Sequence, residues 1–482
     1  MNIYLVALIV YSAILIGAGL FFSRQVKTAP DFLVAGRSFG PGLIFATFLA
    51  ANIGAGSTVG ASGLGYRFGL SAWWWVGSAG IGSLFLAFLV GPRIWTIAKN
   101  ASLHTLGDFL EFRYSKAVKA VIAVLLWMGT LAILAGQLIA ISWILEVVAG
   151  IPKWEGCLLG GLVATIYCSA GGLFTSALIN RIELTVTMSG LLASVPFALH
   201  SAGGWHGLVT RVTANVGAAH AANFFSMTGV GIRQIVAYAS ILAPSFIVSP
   251  GLVQKLYGAK DERTVRMGVG WNALGQLAFA FVPAIFGLCA LAEFPHLSNP
   301  ELALPMVLMK MLPTWLGIWA LPSIFSAELS ATDAIMFMLS TSLAVDLYQT
   351  FLNPKVDKKR LLQVSRATTV LAGAIGVALA IVLPSIIAAI TIFYTLLAVS
   401  LFVPVVVGLY WRKLRTKAAL GSIFGAVAMT GMATYWTKGN GWGFISPALA
   451  GIAIALVIAG VFGWLASSAR ATTPSGAGAG AP

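Results

Sequence analysis

The chain has 482 residues, 59% of them hydrophobic and 9% charged, with a formal net charge of +15 and a mean hydropathy of +0.92. A soluble globular chain carries about 25% charged residues, so this composition excludes a soluble enzyme and points to an integral membrane protein. The positive charge sits in short clusters between apolar segments, which excludes a nucleic-acid surface and leaves the lipid bilayer as the large partner.

Apolar runs of roughly 20 residues, enough to cross about 30 Å of hydrocarbon as a helix, recur along the chain with no soluble domain between them. They predict an all-α fold of about thirteen transmembrane helices, at 3–22, 39–66, 71–97, 118–148, 156–172, 181–200, 229–254, 267–293, 314–348, 364–384, 386–411, 418–437 and 444–467. The first run lacks a basic residue before it and a small-x-small cleavage site after it, so it is expected to be retained as a helix. Of the 29 Lys and Arg, 23 fall into alternate loops on one side, including Lys255, Lys260, Arg263 and Arg266 after the seventh helix. Arg67, Lys153, Arg211, Arg233, Lys310 and Lys438 fall towards the other side. The positive-inside rule then places the N-terminus outside and the C-terminus in the cytoplasm of a plasma or inner membrane.

Two spans contain interruptions that a plain helix would avoid. The second span carries Ala50-Ala-Asn-Ile-Gly-Ala-Gly-Ser-Thr-Val-Gly60, and the seventh carries Ser245-Phe-Ile-Val-Ser-Pro-Gly251. Gly and Pro at membrane depth free backbone groups that can hold a solute or an ion. Small residues such as Gly56 and Gly60 also allow close helix packing, which is the bland reading. The GxGxxxG spacing from Gly54 to Gly60 is not a dinucleotide fingerprint, because no strand precedes it. Each break opens a unit of five helices, and a unit of odd helix number inserts upside down relative to its partner. Paired breaks in two inverted repeats mark a midplane transport site. The expected organisation is one transport domain: a leading helix and loop over 1–38, repeat one over 39–200, repeat two over 229–411, two accessory helices over 412–467 and a disordered tail over 468–482.

The span 314–348 carries two carboxylates, Glu328 and Asp333, among the hydroxyls of Ser326, Ser330 and Thr332. Intramembrane carboxylates are costly and mark ion or substrate pathways by default. The reading leaves open whether Glu328 pairs with a basic group, stays protonated or carries a proton, and whether Asp333 serves cation coupling or a structural bond. Glu183 beside Arg181 reads as an ion pair at a helix end. Cys157, Cys168 and Cys289 form no CxxC or Cys/His spacing and read as packing residues.

Several stretches resemble the sodium:solute symporter family: Phe32-Leu-Val-Ala-Gly-Arg-Ser, Ala50-Ala-Asn-Ile, Gln254-Lys-Leu-Tyr-Gly-Ala-Lys-Asp-Glu, Ser330-Ala-Thr-Asp-Ala with Asp346-Leu-Tyr, and Gly408-Leu-Tyr-Trp-Arg-Lys. The resemblance implies a leucine-transporter-type fold and Na⁺-coupled symport of a small organic solute by alternating access, with Na⁺ as co-substrate. It implies a Na⁺ site from the carbonyls of Ala50, Ile53 and Ala327 and the residues at 330 and 331. Ser330 supplies its hydroxyl, whereas Ala331 has none to give. Thr332 lies about 100° further round the helix, and Asp333 offers a charge on a neighbouring face. Asn180 stands where some members carry an aspartate for a second sodium.

The expected substrate wall consists of Asn52, Ser57, Thr58, Trp75, Ser78, Ser245, Phe246, Thr391 and Tyr394. The freed end of a half-helix favours a carboxylate, so an organic acid or amino acid is expected over a sugar. Proton-coupled or uncoupled transport is the alternative within the fold. A membrane solute sensor is the alternative outside transport; it would be expected to carry a soluble signalling module after residue 467, where only a short Gly/Ala-rich tail follows. No nucleophile, base and orienting group assemble from the motifs, so an enzyme is not expected.

Overall fold

The computed structural model describes residues 2–23, 37–169, 173–411 and 413–471. Residues 32–36 of the first family stretch and 472–482 of the tail lie outside these, as do the side chains of Cys168, Asn180 and Asp346. Regular structure among the described residues is helical apart from two isolated bridges, Phe39 with Ala259 and Trp442 with Ile445.

The first part of the chain forms α1 (Ile3–Ser23), α2 (Pro41–Asn52), α3 (Val59–Phe68), α4 (Trp73–Phe85), α5 (Gly91–Asn100), α6 (Leu106–Arg113), α7 (Lys116–Ala149), α8 (Lys153–Ser169) and α9 (Leu173–Ser201). Two helices then occupy a stretch the apolar pattern leaves as loop, α10 (Gly204–Val216) and α11 (Ala218–Phe224). The second part forms α12 (Ile232–Val248), α13 (Pro250–Tyr257), α14 (Glu262–Phe279), α15 (Phe281–Glu293), α16 (Ala303–Lys310), α17 (Thr314–Thr341), α18 (Lys358–Val382) and α19 (Ile386–Phe402). The chain closes with α20 (Thr416–Thr437) and α21 (Pro447–Ala471), the last running past the expected end of its span.

Among the described residues nine helical stretches are long and apolar enough to cross a membrane. Three further apolar stretches are shorter over the residues whose side chains are described, Ile3–Ala18, Pro41–Asn52 and Pro447–Phe462. The chain is therefore a multi-pass, all-helical membrane protein. The helices widen into π turns at Leu86–Val90, Ser342–Leu352 and Val403–Val407; the first lies beside Pro92 and the last contains Pro404, whose missing N–H groups disturb the ladder.

The helices pack in reciprocal pairs. The broken pair α2 and α3 lies along α14 and α15, and α12 lies along α4. Helix α7 packs on α19, as α17 packs on α9, while α7 and α8 both contact α18. Backbones touch where α3 meets α15: a Cβ on Gly287 would lie 2.4 Å from the Gly65 carbonyl carbon, so only glycines allow this approach. The first break of the chain is thereby clamped between the middle of the bundle and α14/α15.

Candidate functional site

The first break is built from its own sequence. Helix α2 ends at Asn52, Ile53 turns to extended backbone (φ −97°, ψ 96°), and α3 resumes only at Val59. Ser57 fills the gap by hydrogen bonding within the turn: its Oγ donates towards the carbonyls of Asn52 (2.9 Å) and Gly54 (3.1 Å) and accepts from the Gly54 N–H (3.0 Å). Gln137 on α7 reaches in, its Oε1 accepting from the Ala55 N–H at 2.9 Å. Trp75 Nε1 donates to the Gly56 carbonyl at 2.9 Å. Freed backbone groups at membrane depth are thus satisfied by side chains of α4 and α7.

Gly54 has no room for a side chain, since a Cβ would lie 2.5 Å from the Ala331 Cβ and 2.9 Å from Gln137 Oε1. The Ala331 methyl therefore packs against the break where the family resemblance expects a hydroxyl. Gly56 and Gly60 face Ile390 and Ile387 at the start of α19, so close packing and helix breakage occur in the same segment.

The second break is a single joint. Pro250 pushes Ser249 out of helical geometry (φ −58°, ψ 121°), separating α12 from α13. Ser245 lies on intact helix and bonds the carbonyls of Ile241 and Tyr394, both at 2.6 Å.

A cavity with about 840 Å³ of empty space, mouth included, lies between the two breaks. Of the expected substrate residues, Asn52, Ser57, Trp75, Phe246 and Tyr394 line it. Thr58, Ser78, Ser245 and Thr391 do not line it. Thr58 turns towards α17 and Ser78 is fully buried. Asn52 also holds Asn272 of α14, Nδ2 to Oδ1 at 3.1 Å. Phe246 and Tyr394 pack with their rings tilted by 39° and centroids 5.3 Å apart.

Four polar residues of the wall are not among the expected site residues: Gln137, Ser249, Lys255 and Gln276. Lys255 is a correction. The sequence groups it with loop charges that mark topology, yet it is 4% exposed on α13 and its Nζ donates to the Thr47 carbonyl at 2.9 Å.

Beside the cavity, α17 lies against the end of α2. Ser330 Oγ contacts the Ala50 carbonyl at 3.2 Å, and both residues are buried. Ile53, Ala327, Ala331 and Asp333 are also buried, Asp333 within electrostatic reach of Lys255. Glu328 is fully buried, one oxygen taking a 2.7 Å bond from Thr58 Oγ1 and the other having no partner among the described residues. The Thr58 hydroxyl carries one proton and faces two acceptors, Glu328 and the Gly54 carbonyl at 2.9 Å. A proton on Glu328 would satisfy both contacts. Arg181 is exposed while Glu183 is fully buried, so the two occupy opposite faces of α9 instead of forming a surface pair.

At the end of the bundle near α19, Glu301 forms a strap that its loop position did not announce. Its carboxylate accepts from the backbone N–H groups of Ile386 (2.9 and 3.1 Å) and Ile387 (3.4 Å) and from Trp143 Nε1 (3.0 Å). Burial pushes its pKa up against the pull of these donors.

A membrane helix opened at its midpoint, sealed by side chains from neighbouring helices and facing a polar-lined cavity, defines a broken-helix membrane transporter. The fold agrees with solved structures: a substrate-bound, outward-open Na⁺-coupled sialic acid symporter superposes with a TM-score of 0.80 at 16% identity, covering 96% of this chain and 98% of that one. Mhp1, a nucleobase-cation-symport-1 family transporter, gives 0.60 at 12% identity, covering 93% and 97%. The sodium:solute symporter family model matches residues 32–425, and the chain belongs to that family. It is accordingly a symporter of the sodium-coupled class, a transport protein and not an enzyme. Similar relatives include the sodium/glucose cotransporter of Vibrio parahaemolyticus, 25% identical over 87% of this chain and 82% of its own length. The sodium/pantothenate symporter of Escherichia coli is 25% identical over 95% of this chain and 96% of its own length. The sodium-coupled monocarboxylate transporter 2 of Mus musculus is 21% identical over 86% and 69%.

Proposed function

We propose that the chain is a secondary active transporter that binds Na⁺ and a small organic solute at the two breaks and exposes them alternately to either side of the membrane. An organic acid or amino acid is favoured over a sugar, in keeping with the monocarboxylates of the mouse relative. The observation that carries the reading is the 3.2 Å approach of Ser330 Oγ to the Ala50 carbonyl, which brings oxygens of α17 and of the α2 terminus together beside the cavity. Na⁺ is a hard cation that takes several oxygens, and Ala50, Ile53, Ala327 and Ser330 would supply them, with Asp333 as nearby charge. Ala331 contributes packing against Gly54.

The helices are thirteen in this reading, one before and two after a pair of inverted five-helix repeats. The packing supports the symmetry. Counting helices within each repeat, the first of one lies along the second of the other in both directions, α2/α3 with α14/α15 and α12 with α4. The third likewise meets the partner repeat's fifth in both directions, α7 with α19 and α17 with α9. The basic clusters favour a C-terminus on the cytoplasmic side of the cell membrane.

One observation favours a second reading, proton coupling: Glu328 is buried beside the break with no basic partner among the described residues. A thermal-shift screen of small metabolites on the purified protein tests the proposal, since a ligand of the native state raises apparent stability. A hit whose shift grows with Na⁺ supports it; hits that follow pH and ignore Na⁺ favour the second reading.

A further inference from the structure

The cavity wall carries one charged side chain, Lys255, and no carboxylate among the described residues. The ammonium is buried, its hydrogen bond goes to the neutral Thr47 carbonyl, and it belongs to none of the ion pairs among the described residues. Asp333 and Glu183 act on it from α17 and α9, but neither lines the cavity. A buried ammonium held by a neutral carbonyl is costly, and an anion entering the cavity offsets that cost.

The amides of the wall point the same way. The Ala55 N–H can only donate, which fixes Gln137 with its oxygen on the break. Gln276 gives its oxygen to the Ser83 hydroxyl at 3.0 Å. Each carbonyl has a donor inside the protein, whereas neither NH₂ group has a hydrogen-bond partner among the described residues; the NH₂ groups are the ends left for a ligand, and an NH₂ group only donates. The wall therefore offers donors from α7, α13 and α14 around one cation.

We infer that the cavity takes an organic anion, a carboxylate without a compensating ammonium group, anchored on Lys255 and on the amide groups of Gln137 and Gln276. The inference rests on the transporter reading above for the cavity being the transport site, and it narrows the substrate. The ammonium of an amino acid finds no carboxylate on the wall. A sugar carries no charge to offset that of Lys255.

The test uses the purified full chain and a matched set: straight-chain monocarboxylates from acetate to octanoate with lactate, their neutral amides, alanine and glucose, read by calorimetry and thermal shift. At least one carboxylate should bind about tenfold or more tightly than its amide, as expected for losing a charged hydrogen bond. Lys255→Gln should remove that preference and Lys255→Arg keep it. Gln276→Glu retains the oxygen for Ser83 but puts a negative charge on the wall. It should weaken the carboxylate about tenfold or more, and it preserves the test if Lys255→Gln does not fold. Amide, alanine or glucose binding as tightly as any carboxylate, no carboxylate binding at all, or an unchanged affinity in Gln276→Glu would overturn the inference. Uptake separates the two claims. Sodium-driven uptake of a neutral compound overturns the anion and keeps the symporter, whereas carboxylate binding without sodium-dependent uptake does the reverse.

Discussion

Thr58 Oγ1 and Glu328 Oε1 lie 2.7 Å apart, joining the last residue of the first break to the middle of α17. The bond ties the start of α3 to the helix that carries Ser330. Glu328→Gln keeps an acceptor for Thr58 and should leave uptake near the native rate. Glu328→Leu removes the acceptor, and the link between break and α17 should fail, lowering stability by about 1–3 kcal/mol and slowing uptake. Native-like stability and uptake in Glu328→Leu would show that the bond couples nothing.

Ala331 is the departure from the expected cation site, and its methyl meets the space Gly54 leaves open. Ala331→Ser adds an oxygen one residue from Ser330 at little cost in volume. The sodium concentration for half-maximal uptake should fall several-fold. Asp333→Asn removes the nearby charge and should raise it. A sodium dependence unmoved by both variants would place the cation elsewhere.

Glu301 gives a pH dependence with a definite sign. Its carboxyl is pushed up by burial in the folded strap, so the folded protein holds the proton more tightly than an unfolded chain does. The resulting stabilisation is present at low pH and is lost as pH rises through the folded value. Glu301→Gln, a neutral mimic of the protonated form, should flatten this part of the melting-temperature profile in mild acid. An identical pH profile in the variant would remove Glu301 from the account.

The basic end of the bundle behaves in the opposite way. Burial alone would raise Asp108, but the Lys119 ammonium at 3.0 Å and the N–H groups of His104 and Thr105 outweigh it and hold the carboxyl below its usual range. Asp108 also completes a capping box with Thr105 at the start of α6. Its stabilisation is present above the ordinary carboxylate value, about 3.9, and is lost as pH falls through the lower folded value. Asp108→Asn should cost about 1–3 kcal/mol at neutral pH, read by thermal or chemical denaturation.

The breaks were legible because glycines, Asn52 and Pro250 contradict the apolar runs around them, and a spanning helix has few reasons to contain such residues. The α17 wall was legible for the same reason, through its carboxylates. Lys255 was not, since a lysine near the basic end of a helix has the same local pattern whether it marks topology or turns inward. Gln137 and Gln276 are single polar residues in long apolar helices, and Glu301 is one acid in a loop. Their roles arise only when distant helices converge, which no local spacing records. The helices α10 and α11 were missed because they are too polar and short to read as spans.

The central claim is that a Na⁺ gradient drives solute uptake through the Ala50–Ser330 contact. Tracer uptake into proteoliposomes, with Na⁺ and pH gradients imposed separately on the native chain and on Ser330→Ala, tests it most directly. The account predicts accumulation under the Na⁺ gradient that Ser330→Ala strongly reduces. Accumulation that follows the pH gradient and ignores Na⁺ in both proteins would contradict it.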